Sequence, residues 1–236
     1  MNYIFFKKWT NLGILFGVPF FFILVFGNHV ESVSVEHNYS PLDIISKNII
    51  DLDSIDFLDN KSSNLNENLT VLCFVGNIPM NNITGALNLK QLVYDKFKGF
   101  KFNKKKFQII TLGIEGAEDQ IKLFKRELLK YDKLDYWYFG TTKVANYKKI
   151  YNSLLDNRNS LDSLNATNNV FIIDESRNQR GRIIDDKNYN IGLFSYNTIS
   201  ISEIKKKMND DIRILFTEYR DRRKGSFNRE IKVLKN

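Results

Sequence analysis

Asn68 to Leu92 reads N-L-T-V-L-C-F-V-G-N-I-P-M-N-N-I-T-G-A-L-N-L-K-Q-L. Leu69 to Val75 is a run of strand length, apolar but for Thr70 and rich in β-branched and aromatic residues, the pattern of a strand buried on both faces. Gly76 to Asn82 is polar and turn-forming, with a proline inside it. From Ala86 onward, Leu89, Leu92, Val93 and Phe97 fall on one stripe of a helix. Strand, tight loop and helix follow one another directly. The loop holds no cysteine and no charge.

Outward from this stretch the same alternation continues. Phe107 to Gly113, Asp135 to Thr141 and Val170 to Asp174 read as further strands. Ala117 to Tyr131 has Ile121, Phe124, Leu128 and Tyr131 at helical spacing, Ala145 to Leu155 is a shorter helix, and a long helix runs from Ile201 to about Tyr219. Arg182-Ile183-Ile184 reads as the far arm of a hairpin from Asp174. The order strand, helix, strand, helix, strand, helix, strand, strand, helix predicts an α/β domain with a mixed central sheet, helices on both faces and an antiparallel hairpin at one edge. A thioredoxin-like domain with one extra helix has this order. A small flavodoxin-like domain is the alternative, and it lacks the late hairpin.

The N-terminus carries a different signal. Trp9 to Val30 is 22 residues without Lys, Arg, Asp or Glu, enough at about 1.5 Å per helical residue to cross a hydrocarbon core of about 30 Å. No small-residue cleavage pattern follows Phe26, so 9–30 reads as a retained transmembrane helix rather than a signal peptide. Lys7 and Lys8 precede it and the next Lys or Arg is Lys47. The positive-inside rule therefore keeps the N-terminus cytoplasmic and puts the domain outside the cytoplasmic membrane, in the periplasm. Gly13 and Gly17 form a small-xxx-small pair, a route to a homodimer. The expected organisation is a cytoplasmic tip at 1–8, the span at 9–30, a membrane-proximal linker at 31–68, the compact domain at 69–221 and a basic tail at 222–236. Pro41-Leu42-Asp43, with Ile44, Ile45, Ile49 and Ile50, marks a short amphipathic segment inside that linker.

The residue inventory removes several chemistries. One cysteine, Cys73, excludes an intrachain disulfide and a CxxC redox pair, and between Leu72 and Phe74 it reads as a small buried hydrophobe. The only histidines, His29 and His37, precede the domain. The acidic pairs Asp185-Asp186 and Asp210-Asp211, and Glu115 with Glu118, read as solvated turns and helix ends. Gly113-x-x-Gly116 lacks the spacing of a nucleotide loop. No cofactor and no enzymatic activity is expected.

Val71 to Phe97 resembles the first part of the SCO/SenC copper-chaperone domain, a membrane-anchored thioredoxin-fold family with an aromatic strand, a C-P-x-x-C-P loop and a helix opening on N-L-x-x-L. Matching Asn88-Leu89-Lys90-Gln91-Leu92 to that helix sets Ile78-Pro79 on the first Cys-Pro and Asn82-Ile83 on the second, so Ile78 and Asn82 are degenerate ligand positions. Phe171-Ile172-Ile173-Asp174 followed by Arg180-Gly181 is similar to the family's late strand and hairpin. The family's copper-binding histidine would fall in Leu164 to Asn169, which has none. The resemblance spans about residues 65–220 and implies the fold, a membrane setting and an accessory role near a respiratory (cytochrome oxidase) complex. Without two thiolates and an imidazole it implies no copper site.

In a thioredoxin-like fold the loop after the first core strand and the segment before the late strand meet at one edge. That predicts a partner surface of Asn77, Pro79, Met80, Asn82, Thr167, Asn168 and Asn169, and changes at Pro79 and Asn82 are expected to weaken partner binding at little cost in stability. The formal net charge of +8 is concentrated late: residues 205–236 hold 11 Lys and Arg against 5 Asp and Glu. Lys205, Lys206, Lys207, Arg220, Arg222, Arg223 and Lys224 form the expected basic patch. Outside the cytoplasm its counterpart is lipid headgroups or an acidic protein, not nucleic acid. The function expected is a membrane-anchored, non-catalytic thioredoxin-like protein that binds a membrane protein or complex as an assembly or accessory factor. The alternative is a structural subunit or scaffold of an unrelated envelope complex, and a copper chaperone or thiol oxidoreductase ranks behind both.

Overall fold

A computed structural model describes residues 39–102, 105–158, 160–184 and 192–234. The expected transmembrane helix with Gly13 and Gly17, both histidines, and Asp185-Asp186 lie outside them. Among the described residues no helix is long and apolar enough to cross a membrane.

Five long or central strands make the frame: β3 (Leu69–Gly76), β5 (Lys105–Ile114), β6 (Trp137–Thr142), β7 (Ala166–Ile173) and β8 (Gln179–Gly181). Short strands add to them: β1 (Asp43–Ser46), β2 (Asp56–Phe57), β4 (Lys101–Phe102) and β9 (Tyr196–Asn197). The sheet order is β1-β8-β7-β3-β5-β6-β2, with β4 beside β5 and β9 beside β7. β3 runs parallel to β5, and β5 to β6, while β7 is antiparallel to β3 and forms the hairpin with β8. A parallel β-helix-β unit joined edgewise to an antiparallel hairpin, closed by a final helix, is the thioredoxin-like arrangement. It excludes the flavodoxin-like alternative.

β3 sits between β5 and β7 and is buried along all eight residues. Alternate side chains therefore feed two cores. Val71, Cys73 and Val75 join one, with Ile109, Trp137, Phe139, Val170 and Ile172. It is covered by three helices: α1 (residues 83–97), α2 (Glu118–Leu129) and α4 (residues 201–224). Leu72 and Phe74 join the other, with Ile110, Leu112, Phe171 and Ile173. That face has α3 (Val144–Asn152), through Tyr147 and Ile150, and the chain from Ile49 to Leu65. Both α1 and α4 contain a π-turn, at Lys90–Tyr94 and Ile204–Met208.

Three boundaries differ from those expected. The compact unit begins at Ser40, not Leu69. Ile49, Leu52, Ile55 and Leu65 are needed to cover the part of the second sheet face that α3 leaves open, so a stretch that reads as a linker is core. The far arm of the hairpin is Gln179–Gly181; Arg182 continues it by one bridge to Leu193. The C-terminal tail is ordered against the sheet: Ile44 N–H donates to Lys232 O (2.8 Å) and Leu234 N–H to Ile44 O (2.8 Å). α4 itself runs on to Lys224, where Gly225 at φ 70° provides a left-handed cap.

Two buried ionic clusters lie under the hairpin edge. Arg180 is 1% exposed and bonds Asp174 (3.1 Å), Glu218 (2.8 Å) and the Leu42 carbonyl (2.6 Å). Burial opposes its charge, but the Glu218 and Asp174 carboxylates outweigh that and hold the guanidinium ionised. Leu42 N–H donates in turn to Glu218 Oε1 (2.8 Å), so one Arg-Glu pair grips both backbone groups of the residue where the chain joins the domain. Asp211, expected at a solvated helix end, is fully buried and accepts from Arg182 and from the Tyr196 hydroxyl (2.6 Å). Burial raises its carboxyl, against the pull of Arg182 and Tyr196.

Candidate functional site

The loop after β3 is held by the segment before β7. Gly76, at φ 59°, lets the backbone come against Leu164 and Asn165. Asn77 N–H then donates to Leu164 O (3.0 Å). The Tyr147 hydroxyl closes the seam: it accepts from Gly76 N–H (3.0 Å) and donates to Asn165 O (2.7 Å). Burial pushes that hydroxyl well above its ordinary pKa, so it stays a donor throughout the working pH range.

Pro79–Asn82 makes one 3-10 turn, with Pro79 fixing φ at its start, and leads into α1. Asn82 occupies the N-cap position yet its side chain makes no cap bond. Its amide instead turns to β7 and donates to Thr167 O (3.2 Å) and Asn168 Oδ1 (2.9 Å). Asn82 Oδ1 is buried and accepts nothing from the protein. Asn82 lines a cavity of about 20 Å³, with room for one water molecule, together with Cys73, Thr111, Trp137 and Thr198.

The structure thus brings Asn82 together with Thr167 and Asn168, but not all seven expected residues share a surface. Pro79 and Asn169 are buried, and the Asn169 amide donates to Asp156 (2.9 Å) beneath the rim. What faces outward is Asn77, Ile78, Asn81 and Asn168, with Met80 and Thr167 half-buried. Ile78 is 42% exposed, large for an isoleucine with a packed core beside it.

Sequence reasoning missed one part of this rim. Residues 197–199 lie beside it: Thr198 N–H and hydroxyl both donate to Asn168 O (2.9 and 2.8 Å), and Asn88 Nδ2 donates to Thr198 O (3.0 Å). Ile199 is exposed. The signal was Gly85, a glycine inside a helix. A Cβ there would meet Thr198 Oγ1 at 2.2 Å, so the residue marks a close crossing.

Chemically the site is poor in nucleophiles. The Cys73 thiol is buried below the loop, and burial, opposed only by a hydrogen bond with Thr111, pushes it up to about 12. A thiolate is what attacks a disulfide or binds a soft metal, and this thiol stays protonated. The copper ligands implied by the SCO/SenC resemblance do not fit the residues present. Ile78 offers no donor atom, Asn82 turns its NH₂ to β7, and Met80 packs against the first core. Among the described residues no three His, Cys, Asp or Glu side chains gather as a metal-binding set.

The basic residues do not make one patch. Lys205, Lys206 and Lys207 lie in the first turns of α4 and Arg220, Arg222, Arg223 and Lys224 in its last ones, some 15 residues or about 20 Å apart.

Because the Asn82 amide donates to two oxygens, Asn82→Asp brings a carboxylate against Thr167 O and Asn168 Oδ1. The expected loss is about 1–3 kcal/mol in denaturant unfolding. This replaces the expectation that a change at Asn82 is structurally silent. A variant as stable as wild type would show that the amide's contacts are dispensable.

No protein-family profile matches the chain, and no curated protein sequence matches it. Among solved structures, a putative protein disulfide isomerase from Bacteroides thetaiotaomicron is 14% identical, covering 73% of this chain and 94% of that one, with a TM-score of 0.45. Copper-bound ScoI of Bradyrhizobium japonicum is 11% identical over 72% of this chain and 99% of that one, TM-score 0.39. The soluble domain of Sco1 from Bacillus subtilis is 15% identical over 79% and 97%, TM-score 0.38. Likeness at this level concerns fold, and the thioredoxin-like fold of this chain rests on its own strand order and register.

Proposed function

We propose that this is a membrane-anchored, non-catalytic thioredoxin-like protein that uses the rim formed by the loop after β3 to bind a membrane protein partner as an assembly or accessory factor. The observation that carries the reading is Asn82. At a position where the SCO/SenC resemblance places a thiol, its amide serves as a strut between α1 and β7. The outward residues Asn77, Ile78, Asn81 and Asn168 supply amide donors and acceptors around an exposed aliphatic side chain, without charge, which suits a peptide backbone and an apolar contact. The uncharged span at 9–30, with Lys7 and Lys8 before it, supports a single-pass anchor with the domain on the periplasmic side. A respiratory complex as the setting rests on the SCO/SenC resemblance alone.

The test is chemical. The purified full-length protein, loaded with Cu(I) and dialysed against a moderate chelator, is expected to retain no stoichiometric copper and to show no disulfide reductase turnover. Copper retained one-to-one, or turnover that disappears in Cys73→Ser, overturns the non-catalytic reading.

A further inference from the structure

We propose that the C-terminal basic segment, residues 220–234, docks on anionic lipid headgroups beside the point where the chain joins the domain. The proposal rests on the anchored reading above. Residues 31–41 are eleven residues, and extended chain spans at most about 3.6 Å per residue, so a span ending at Val30 holds Leu42 within about 40 Å of the membrane.

Leu42 is bound to the same part of the fold as the basic segment. Its N–H donates to Glu218, one helical turn before Arg222 on α4, and Arg180 bonds its carbonyl. Two residues on, Ile44 pairs with the returning tail through Lys232 and Leu234. The tethered corner and the basic segment are therefore a single corner of the domain. Residues 220–234 contain six Lys and Arg (220, 222, 223, 224, 229 and 232) against Asp221 and Glu230.

The side chains there have the mixture an interface selects. Arg222, Arg223, Lys224 and Lys232 are exposed, and the Arg222 guanidinium stacks over Phe227 at 4.9 Å. Val233 and Leu234, the last described residues, are 40% and 44% exposed. Basic residues beside exposed aliphatic ones bind a lipid surface through charge and shallow apolar contact together. Lys205–Lys207 lie at the far end of α4.

The test uses the full-length protein in lipid nanodiscs of phosphatidylglycerol with phosphatidylcholine, or of phosphatidylcholine alone, with trypsin cleavage sites read by mass spectrometry. Cleavage after Arg222, Arg223, Lys224 and Lys232 is expected to be at least tenfold slower in the anionic discs, and to recover in high salt as headgroup attraction is screened. Cleavage after exposed Lys122 on α2 and Lys130 just beyond its end should not differ. Arg222→Glu with Arg223→Glu and Lys224→Glu should abolish the lipid difference at Lys232, the reporter site these substitutions leave cleavable, while the protein still co-elutes with the discs. Equal cleavage in both lipids by a disc-bound protein overturns the docking and leaves the anchor standing, as does protection that requires an added acidic protein. Failure to enter either disc overturns the anchor and the docking with it.

Discussion

Replacing Arg180 with methionine is expected to lower the thermal unfolding midpoint by about 10 °C. Arg180 lies between Asp174 and Glu218, both buried, and its removal takes the interior counter-ion from two carboxylates and the Arg180 donor from the Leu42 carbonyl; Asp174 keeps its bonds from Ser176 and Asn178, and Glu218 the one from Leu42 N–H. Breaking a buried pair from one side costs about 3–5 kcal/mol, and for a domain near 200 residues each kcal/mol moves the midpoint by about 2–4 °C. Removing the partner as well tests the cause. Arg180→Met with Glu218→Leu should be more stable than Arg180→Met alone, because one of the stranded charges is gone. If the single variant loses less than about 1 kcal/mol in denaturant unfolding, the network is not what secures the N-terminal segment to α4.

Gly76→Ala is expected to cost about 2–4 kcal/mol, from an unfavourable left-handed φ and a backbone clash together. A Cβ at Gly76 would lie 2.1 Å from Leu164 O and 2.7 Å from Asn165 C, both backbone atoms in the segment that holds the candidate site. Gly116 provides the comparison. It too has positive φ, 94°, but no atom lies within 4 Å of the added Cβ. Gly116→Ala should therefore cost only about 1 kcal/mol. Equal losses at the two positions, measured by denaturant unfolding, would remove the close approach of β3 to the β7 segment from the account.

How far the sequence could be read depended on whether a residue's role was local. β3 was legible because a strand buried on both faces is apolar at nearly every position, and the alternation of helices around it dictated a mixed sheet. Cys73 was legible for the same reason, since nothing polar flanks it. β1 was not: it is four residues long, and Leu42, Ile45, Ile49, Leu52 and Ile55 fall at spacings of three and four that suggest a helix, whereas the chain there is a short strand and irregular segments laid on the sheet. Arg180-Gly181 could be matched to a motif, yet its partner Leu42 is 138 residues away in sequence. Asp211 looked solvated beside Asp210 because burial there is decided by Arg182 and Tyr196, from other parts of the chain. At the candidate site the meeting of Asn82 with Thr167 and Asn168 follows from strand order. The burial of Pro79 and Asn169 follows from packing that no spacing reveals.

The loop rim after β3, and not the basic start of α4, is the surface proposed to contact a membrane partner. It is tested most directly with a photo-crosslinking amino acid placed at Ile78, at Asn168 or at Lys206 of the full-length protein, irradiated in the membranes of the cells that make it. One discrete adduct to an integral membrane protein is expected from positions 78 and 168 and none from 206. An adduct from position 206 alone would contradict it.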